Sequence, residues 1–384
     1  MKKQAQALKK NNKSKIPKID YGIIQMDADN NCPFLTENKL CDIVGRVGYD
    51  KLGWVCKDFP KKIVSEKGEY RLSISLACPE TARLWAKSED ALDLYKSSDV
   101  DISGMSGQIE QNDICNIKQP YLEWQREIRQ VLELLCGATQ YPINARVALM
   151  LHFAADIDAE FSNKVIASQS YEDVLNQAID KVGDPLIHPD LVQRFLNIPV
   201  NAASSFSVIQ SVITFKSQYK MGFNDYVLNL LRDDFPDFLK SKEVDENAES
   251  YLEIFNTYVE RQNLINQKYA QVMESYFDRF IRHTIFEKSY AQSGTLLDYM
   301  REMLITFNVF KFFFFMNASL KPLIENTDLP EKEALKVIQD TAAKAAFQGA
   351  RTAGHLNQHT LNIINRSMID NGYNSVDKLF LLAR

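Results

Sequence analysis

Apolar residues recur at helical spacing along most of this chain. Between residues 121 and 136 they fall at Leu122, Trp124, Ile128, Val131, Leu132 and Leu135, with Pro120 just before and Gly137 just after. Proline at the start and glycine past the end is the expected punctuation of a helix, because proline lacks an amide a first turn does not need and glycine tolerates the exit geometry. The same periodicity predicts helices over 144–161, 171–182, 189–197, 224–231, 295–318, 330–348, 358–370 and 376–383, and over 248–290, which is long enough for two. No repeat period runs through them. Residues 119–384 therefore read as one all-α domain.

The pattern upstream is different. Residues 19–97 are irregular, except where Tyr70, Leu72, Ile74 and Leu76 alternate with polar residues as a short strand ending at Cys78-Pro79. Residues 98–118 have no periodicity and read as a linker. The expected fold is thus mainly α, with a small irregular cysteine-rich module containing a short strand ahead of a large helical domain.

Composition changes this picture little. In 384 residues, 45% are hydrophobic and 25% charged, as in an ordinary globular protein, and 14 glycines with 12 prolines are too few for an all-β sandwich or barrel. Net charge is −5, which gives no reason to expect nucleic acid as a partner. Residues 1–18 hold seven lysines and no acid, so the remainder carries −12, and this start reads as a solvated basic tail. It has no apolar core of a secretory signal and no arginine of a transit peptide. The most apolar run, Met303 to Met316, contains Lys311 and is too short to span a bilayer. A cytoplasmic protein without a membrane partner is expected.

Cysteine placement carries the candidate chemistry. Cys32, Cys41, Cys56 and Cys78 lie within 47 residues of one another, while Cys115 and Cys136 stand apart and read as bystanders. Four thiolates suit one [4Fe–4S] cube or a tetrahedral zinc. The spacing lacks the tight C-x2-C knuckles of zinc ribbons, and Pro33, Pro60 and Pro79 interrupt local structure, which favours a cluster in a loop-built cage. Phe34, Leu35, Trp54 and Phe59 could shield it. The bland alternative is four ordinary buried thiols.

The run CPFLTENKLCDIVGRVGYDKLGWVCKDFP, followed by SISLACPETARL at 73–84, resembles the cysteine signature of the flagellin lysine-N-methylase family. YFDRFIRHTIF at 276–286 and LDYMREMLITFNVFKFFF at 297–314 resemble that family's helical part. The resemblance implies transfer of a methyl group from S-adenosylmethionine to lysines of flagellin, and a cysteine-bound iron–sulfur cluster. Members carry a further cysteine cluster upstream, including an adjacent Cys-Cys pair, whereas residues 1–31 here hold none. That departure keeps open a second reading: a metal-binding interaction protein that binds flagellin without modifying it.

Beyond the resemblance, no donor-binding motif is visible. No G-x-G occurs, nor the C-x3-C-x2-C of radical enzymes. Lysine methylation needs a neutral amine, hence a group to take its proton, but the spacing of 50 acids and 16 tyrosines singles out no base. Catalytic and donor-binding residues are unassigned at this level. His355 and His359 share a helical spacing but lack the glutamate of a metalloprotease motif, and Gly354 marks a helix boundary beside them. His152, His188 and His283 are isolated. The phenylalanines at 307, 310 and 312–315 read as core.

Overall fold

A computed structural model of the chain describes residues 32–383, except 39, 54–55, 58, 67–68, 93–108, 112–118, 163–170, 184–186, 199–201, 219–226, 228–229, 232–233, 236–247, 291–292, 326–328 and 355–357. The predicted basic tail, most of the predicted linker, most of the predicted 224–231 helix, Cys115 and His355 lie outside the described residues. The chain divides into two compact units, Met1–Phe59 and Pro60–Arg384.

In the first unit, a bridge between Leu35 and Cys41 closes a short loop, tightened by the Leu35 amide donating to the Cys32 carbonyl and the Asp42 amide to that of Phe34. Cys41 then caps helix α1 (Asp42–Val47), which ends at Gly48 with φ of 90°, a conformation that favours glycine. Among its described residues none is buried, and Phe34, Leu35, Leu40, Val44, Val47, Tyr49 and Phe59 are all exposed.

The second unit begins with an antiparallel pair, β1 (Lys61–Glu66) and β2 (Glu69–Ile74), in register Ile63 to Leu72 and Val64 to Arg71. The strand predicted to reach Cys78 stops at Ile74. Its apolar alternation faces the unexpected way: Tyr70, Leu72 and Ile74 are exposed, while Arg71 and Ser73 are buried. Arg71 explains the inversion. Its guanidinium donates to the carbonyls of Ile285 and Phe286, groups left without a helical partner at the end of a long helix, and lies over the Phe286 ring. Next comes α2 (Pro79–Lys87), with Pro79 in its first turn and Cys78 as its cap. Strand β3 (Ile109–Gln111) then falls within the predicted linker and pairs parallel to β1, giving sheet order β2-β1-β3. The sheet and Cys78 therefore belong with the helical body rather than with the first three cysteines.

The helices follow as α3 (Gln119–Glu123), α4 (Gln125–Cys136), α5 (Ile143–Ser162), α6 (Tyr171–Gly183), α7 (Ile187–Leu196), α8 (Ala202–Gln218), α9 (Ala248–Glu287), α10 (Leu296–Phe315), α11 (Lys321–Glu325), α12 (Glu331–Gly349), α13 (Gln358–Asp370) and α14 (Val376–Ala383). The predominantly helical expectation is met. The predicted first helix is broken at Trp124, and α9 is kinked at Tyr269, whose φ of −127° and ψ of 30° leave the helical range.

Helix α10 is the centre of the second unit. Nearly every residue is buried, including the whole phenylalanine run, and α5, α8, α9, α12 and α14 pack around it. Phe310 stacks on Phe280 of α9 at 4.3 Å and meets Trp85 of α2 edge-on at 6.0 Å. A helix apolar all round belongs in the interior. No single described helix is long and apolar enough to cross a membrane.

Candidate functional site

Helix α10 enters the core on a built N-terminus. Thr295 accepts from the Asp298 amide, and Asp158 of α5 accepts from the amides of Leu296 and Leu297 at 2.9 and 2.8 Å and from the Tyr121 hydroxyl at 2.6 Å. A buried carboxylate on the free amides of a helix start combines capping with the favourable end of the helix dipole. Burial raises the pKa of Asp158 above its ordinary value, and the surrounding donors oppose that shift.

Two turns inward, α10 carries a polar cluster inside an otherwise apolar helix. Glu302, buried to 4% exposure, accepts from the Ser293 hydroxyl through Oε2 at 3.2 Å and from Nδ2 of Asn365 on α13 through Oε1 at 2.9 Å. The amide orientation of Asn365 is fixed by chemistry, since its oxygen turned toward the carboxylate would set acceptor against acceptor. Its Oδ1 is buried and has no hydrogen-bond partner among the described residues. One turn on, Thr306 donates to the Glu302 carbonyl and accepts from Nζ of Lys288, which follows α9, at 3.4 Å.

The end of α9 extends this polar region. Glu287 lies 3.5 Å from Nε2 of His283 and 3.9 Å from Nζ of Lys62 on β1. Burial opposes ionisation of Glu287, but Lys62, His283 and Lys288 outweigh it and hold the carboxyl well below the usual range. Around the hand-over from α9 to α10 thus lie the carboxylates of Glu287 and Glu302, the His283 imidazole, the Lys288 ammonium and the hydroxyls of Ser293 and Thr306. Of the motif stretches quoted from the sequence, 276–286 ends at this junction and 297–314 begins there.

Sequence spacing did not reveal these residues. Asn365 and Glu302 are 63 positions apart, and Ser293 and Glu302 are nine apart across a chain reversal, so no local pattern links them. In the sequence Glu302 stands with Asp298 and Arg301 at the charged edge of the apolar run, which does not single it out.

Cys32, Cys41 and Cys56 sit in the first unit and Cys78 in the second, and among the described residues no three His, Cys, Asp or Glu side chains group as a metal site. All four are free thiols at half-buried or exposed positions, whereas Cys136 is buried, with burial pushing its thiol up to about 12. Their chemistry suits a soft metal. Of the histidines, His152 packs on Phe195 in the core, and burial lowers its basicity.

Comparison with known proteins supplies the rest. No solved structure matches the chain. It is 38% identical over 92 residues to the lysine-N-methylase of Salmonella typhimurium, covering 24% of this chain and 21% of that protein, and likewise to that of Salmonella choleraesuis. It is 38% identical over 88 residues to the flagellar biosynthetic protein FliU of Salmonella muenchen, covering 23% of this chain and 48% of that protein. These alignments span about a fifth to a half of the relatives' lengths. The family described as FliB lysine N-methylase C-terminal domain matches residues 135–382, which include the whole α9–α10 locus and α13. On that match across more than half of its length, the chain belongs to the FliB lysine N-methylase family.

Proposed function

We propose that this protein is a protein-lysine N-methyltransferase that moves a methyl group from S-adenosylmethionine to surface lysines of flagellin. The observation that carries the reading is the family match over 135–382, together with the concentration of buried ionisable groups in that same region. The relatives' names, lysine-N-methylase and flagellar biosynthetic protein, support the substrate class.

The chemistry asks for what this locus offers. A lysine in water is an ammonium with a pKa near about 10.4 and has no lone pair to attack a sulfonium methyl. A site must desolvate it, hold it in line and accept its proton. Glu302 is the group at the α9–α10 junction that we assign to take that proton; Glu287, held well below the usual carboxylate range by Lys62 and His283, is a poor acceptor. A [4Fe–4S] cluster, or zinc, on Cys32, Cys41, Cys56 and Cys78 is part of the proposal. It is supported by four free, reachable thiols and by a first unit whose described side chains are all outside any core. Such a module would gain its order from a ligand.

The test incubates purified chain with flagellin and S-adenosylmethionine carrying a labelled methyl group, then maps the label by peptide mass analysis. Label on flagellin lysines supports the reading. Flagellin that stays unlabelled while still binding the chain would transfer the assignment to a flagellin-binding protein without methylase activity.

A further inference from the structure

We propose that the free edge of β2 is a self-association surface, where a second copy of this chain adds its own β2 antiparallel to make one continuous sheet. In the sheet order β2-β1-β3, one side of β2 has no described strand beside it. The phase of the ladder fixes which backbone groups that side presents. The Ser75 amide donates to the Pro60 carbonyl at 2.8 Å, one step beyond the pairing of Lys61 with Ile74. Bonding residues alternate along an antiparallel pair, so Ser73, Arg71 and Glu69 are the ones that exchange bonds with β1. The amides and carbonyls of Tyr70, Leu72 and Ile74 therefore point outward, and among the described residues no hydrogen bond meets them.

The same three residues carry apolar side chains that are 51, 39 and 49% exposed. On that face Ile63, opposite Leu72 on β1, is fully buried, so the exposure begins at the edge strand. Edge strands that stay single are commonly blunted by lysine, proline or a bulge, and Glu69–Ile74 has none of these. Its one basic residue, Arg71, is turned to the other face, onto the end of α9. A second copy is the occupant this edge fits, because the strand is complementary to itself. A two-fold axis at Leu72 sets Leu72 opposite Leu72 of the second copy and Tyr70 opposite Ile74. Outward groups then meet outward groups, giving about six backbone hydrogen bonds, two for each pair. In this register Arg71 faces Ser73 and Glu69 faces Ser75, so no like charges meet, whereas an axis at Arg71 would set two arginines opposite each other. The Leu–Leu and Tyr–Ile pairs cover the exposed apolar row.

Sedimentation velocity of the full chain across a range of concentrations reads the association, and wild type should pass from monomer to dimer as concentration rises. Leu72→Lys places two ammonium groups face to face at the axis, and Leu72→Pro removes an amide that the β1 ladder does not use. Each should raise the dimer dissociation constant about tenfold or more, while circular dichroism shows the fold retained. The axis also brings the two Cα atoms of residue 72 to about 5.5 Å, within disulfide range. Leu72→Cys in oxidised glutathione should therefore give a covalent dimer in which peptide mass mapping finds position 72 joined to itself, and this arm carries the test if Leu72→Pro fails to fold. Wild type that is monomeric at every concentration, a dimer that Leu72→Lys and Leu72→Pro leave unchanged, or no crosslink at position 72 overturns the proposal. So does a monomeric wild type whose binding to flagellin is weakened by Leu72→Lys, which would give the edge to a flagellin segment instead.

Discussion

Single residues show how α10 tolerates charge inside an aromatic core. Lys311 is fully buried among the phenylalanines, with its ammonium 3.3 Å from the Leu382 carbonyl, 3.4 Å from the Ser205 hydroxyl and 4.8 Å from the centre of the Phe307 ring. Asn308 donates to the same Leu382 carbonyl, so two α10 side chains hold the end of α14. Burial pushes the Lys311 ammonium from 10.5 down to about 7. The unfolded chain therefore binds one more proton than the folded one between about pH 7 and 10.5, and stability rises with pH across that window. Relative to Lys311→Met, wild type should gain about 1.4 kcal/mol per pH unit between pH 7 and 9 in urea unfolding. A stability difference independent of pH would contradict the account. At the other end of α10, Asp158→Ala should cost about 2–4 kcal/mol, because it strands two helix amides and the Tyr121 hydroxyl in the interior; chemical denaturation measures it. Glu302 stands in the sequence among charges at the edge of an apolar run, and its partners were not legible, since tertiary contacts rather than spacing select Ser293 and Asn365.

Among the elements, the long periodic segments were readable and the short or β-branched ones were not. The long helices α5, α12 and α13 follow the periodicity within a residue or two. Helix α8 went unpredicted because its sequence, AASSFSVIQSVITFKSQ, is rich in serine and β-branched residues of low intrinsic helix preference, and burial against α10 overrides that preference. The alternation in β2 was real, but its inside and outside were reversed by Arg71, whose work at the end of α9 no strand pattern encodes. Arg71→Leu should keep the strand apolar yet leave the Ile285 and Phe286 carbonyls without that donor, lowering the thermal midpoint. An unchanged midpoint would contradict the capping role. Where α12 crosses α10, a Cβ on Gly349 would stand 3.4 Å from the Phe310 Cα. Gly349→Val should therefore force the helices apart at a cost of about 1–3 kcal/mol, read by denaturant unfolding.

On the scale of the whole molecule, the family match and the densest buried polar chemistry coincide in the second unit, and the first unit contributes three thiols and no buried side chain among its described residues. The proposed division of labour puts the helical body at the work on the amine and gives the cysteines to an inorganic centre. Anaerobic purification should then yield iron that Cys32→Ser and Cys56→Ser both remove, read by metal analysis; zinc in its place would replace the cluster. Such loading should also slow proteolysis within 32–59. The claim on which the rest depends is that the α9–α10 locus is where lysine is handled. It is tested most directly by intact-mass analysis of flagellin co-expressed with wild type or with Glu302→Gln. The account predicts successive additions of one methyl mass with wild type and a loss of about a hundredfold or more in rate with the variant. Equal methylation by the two proteins would contradict it.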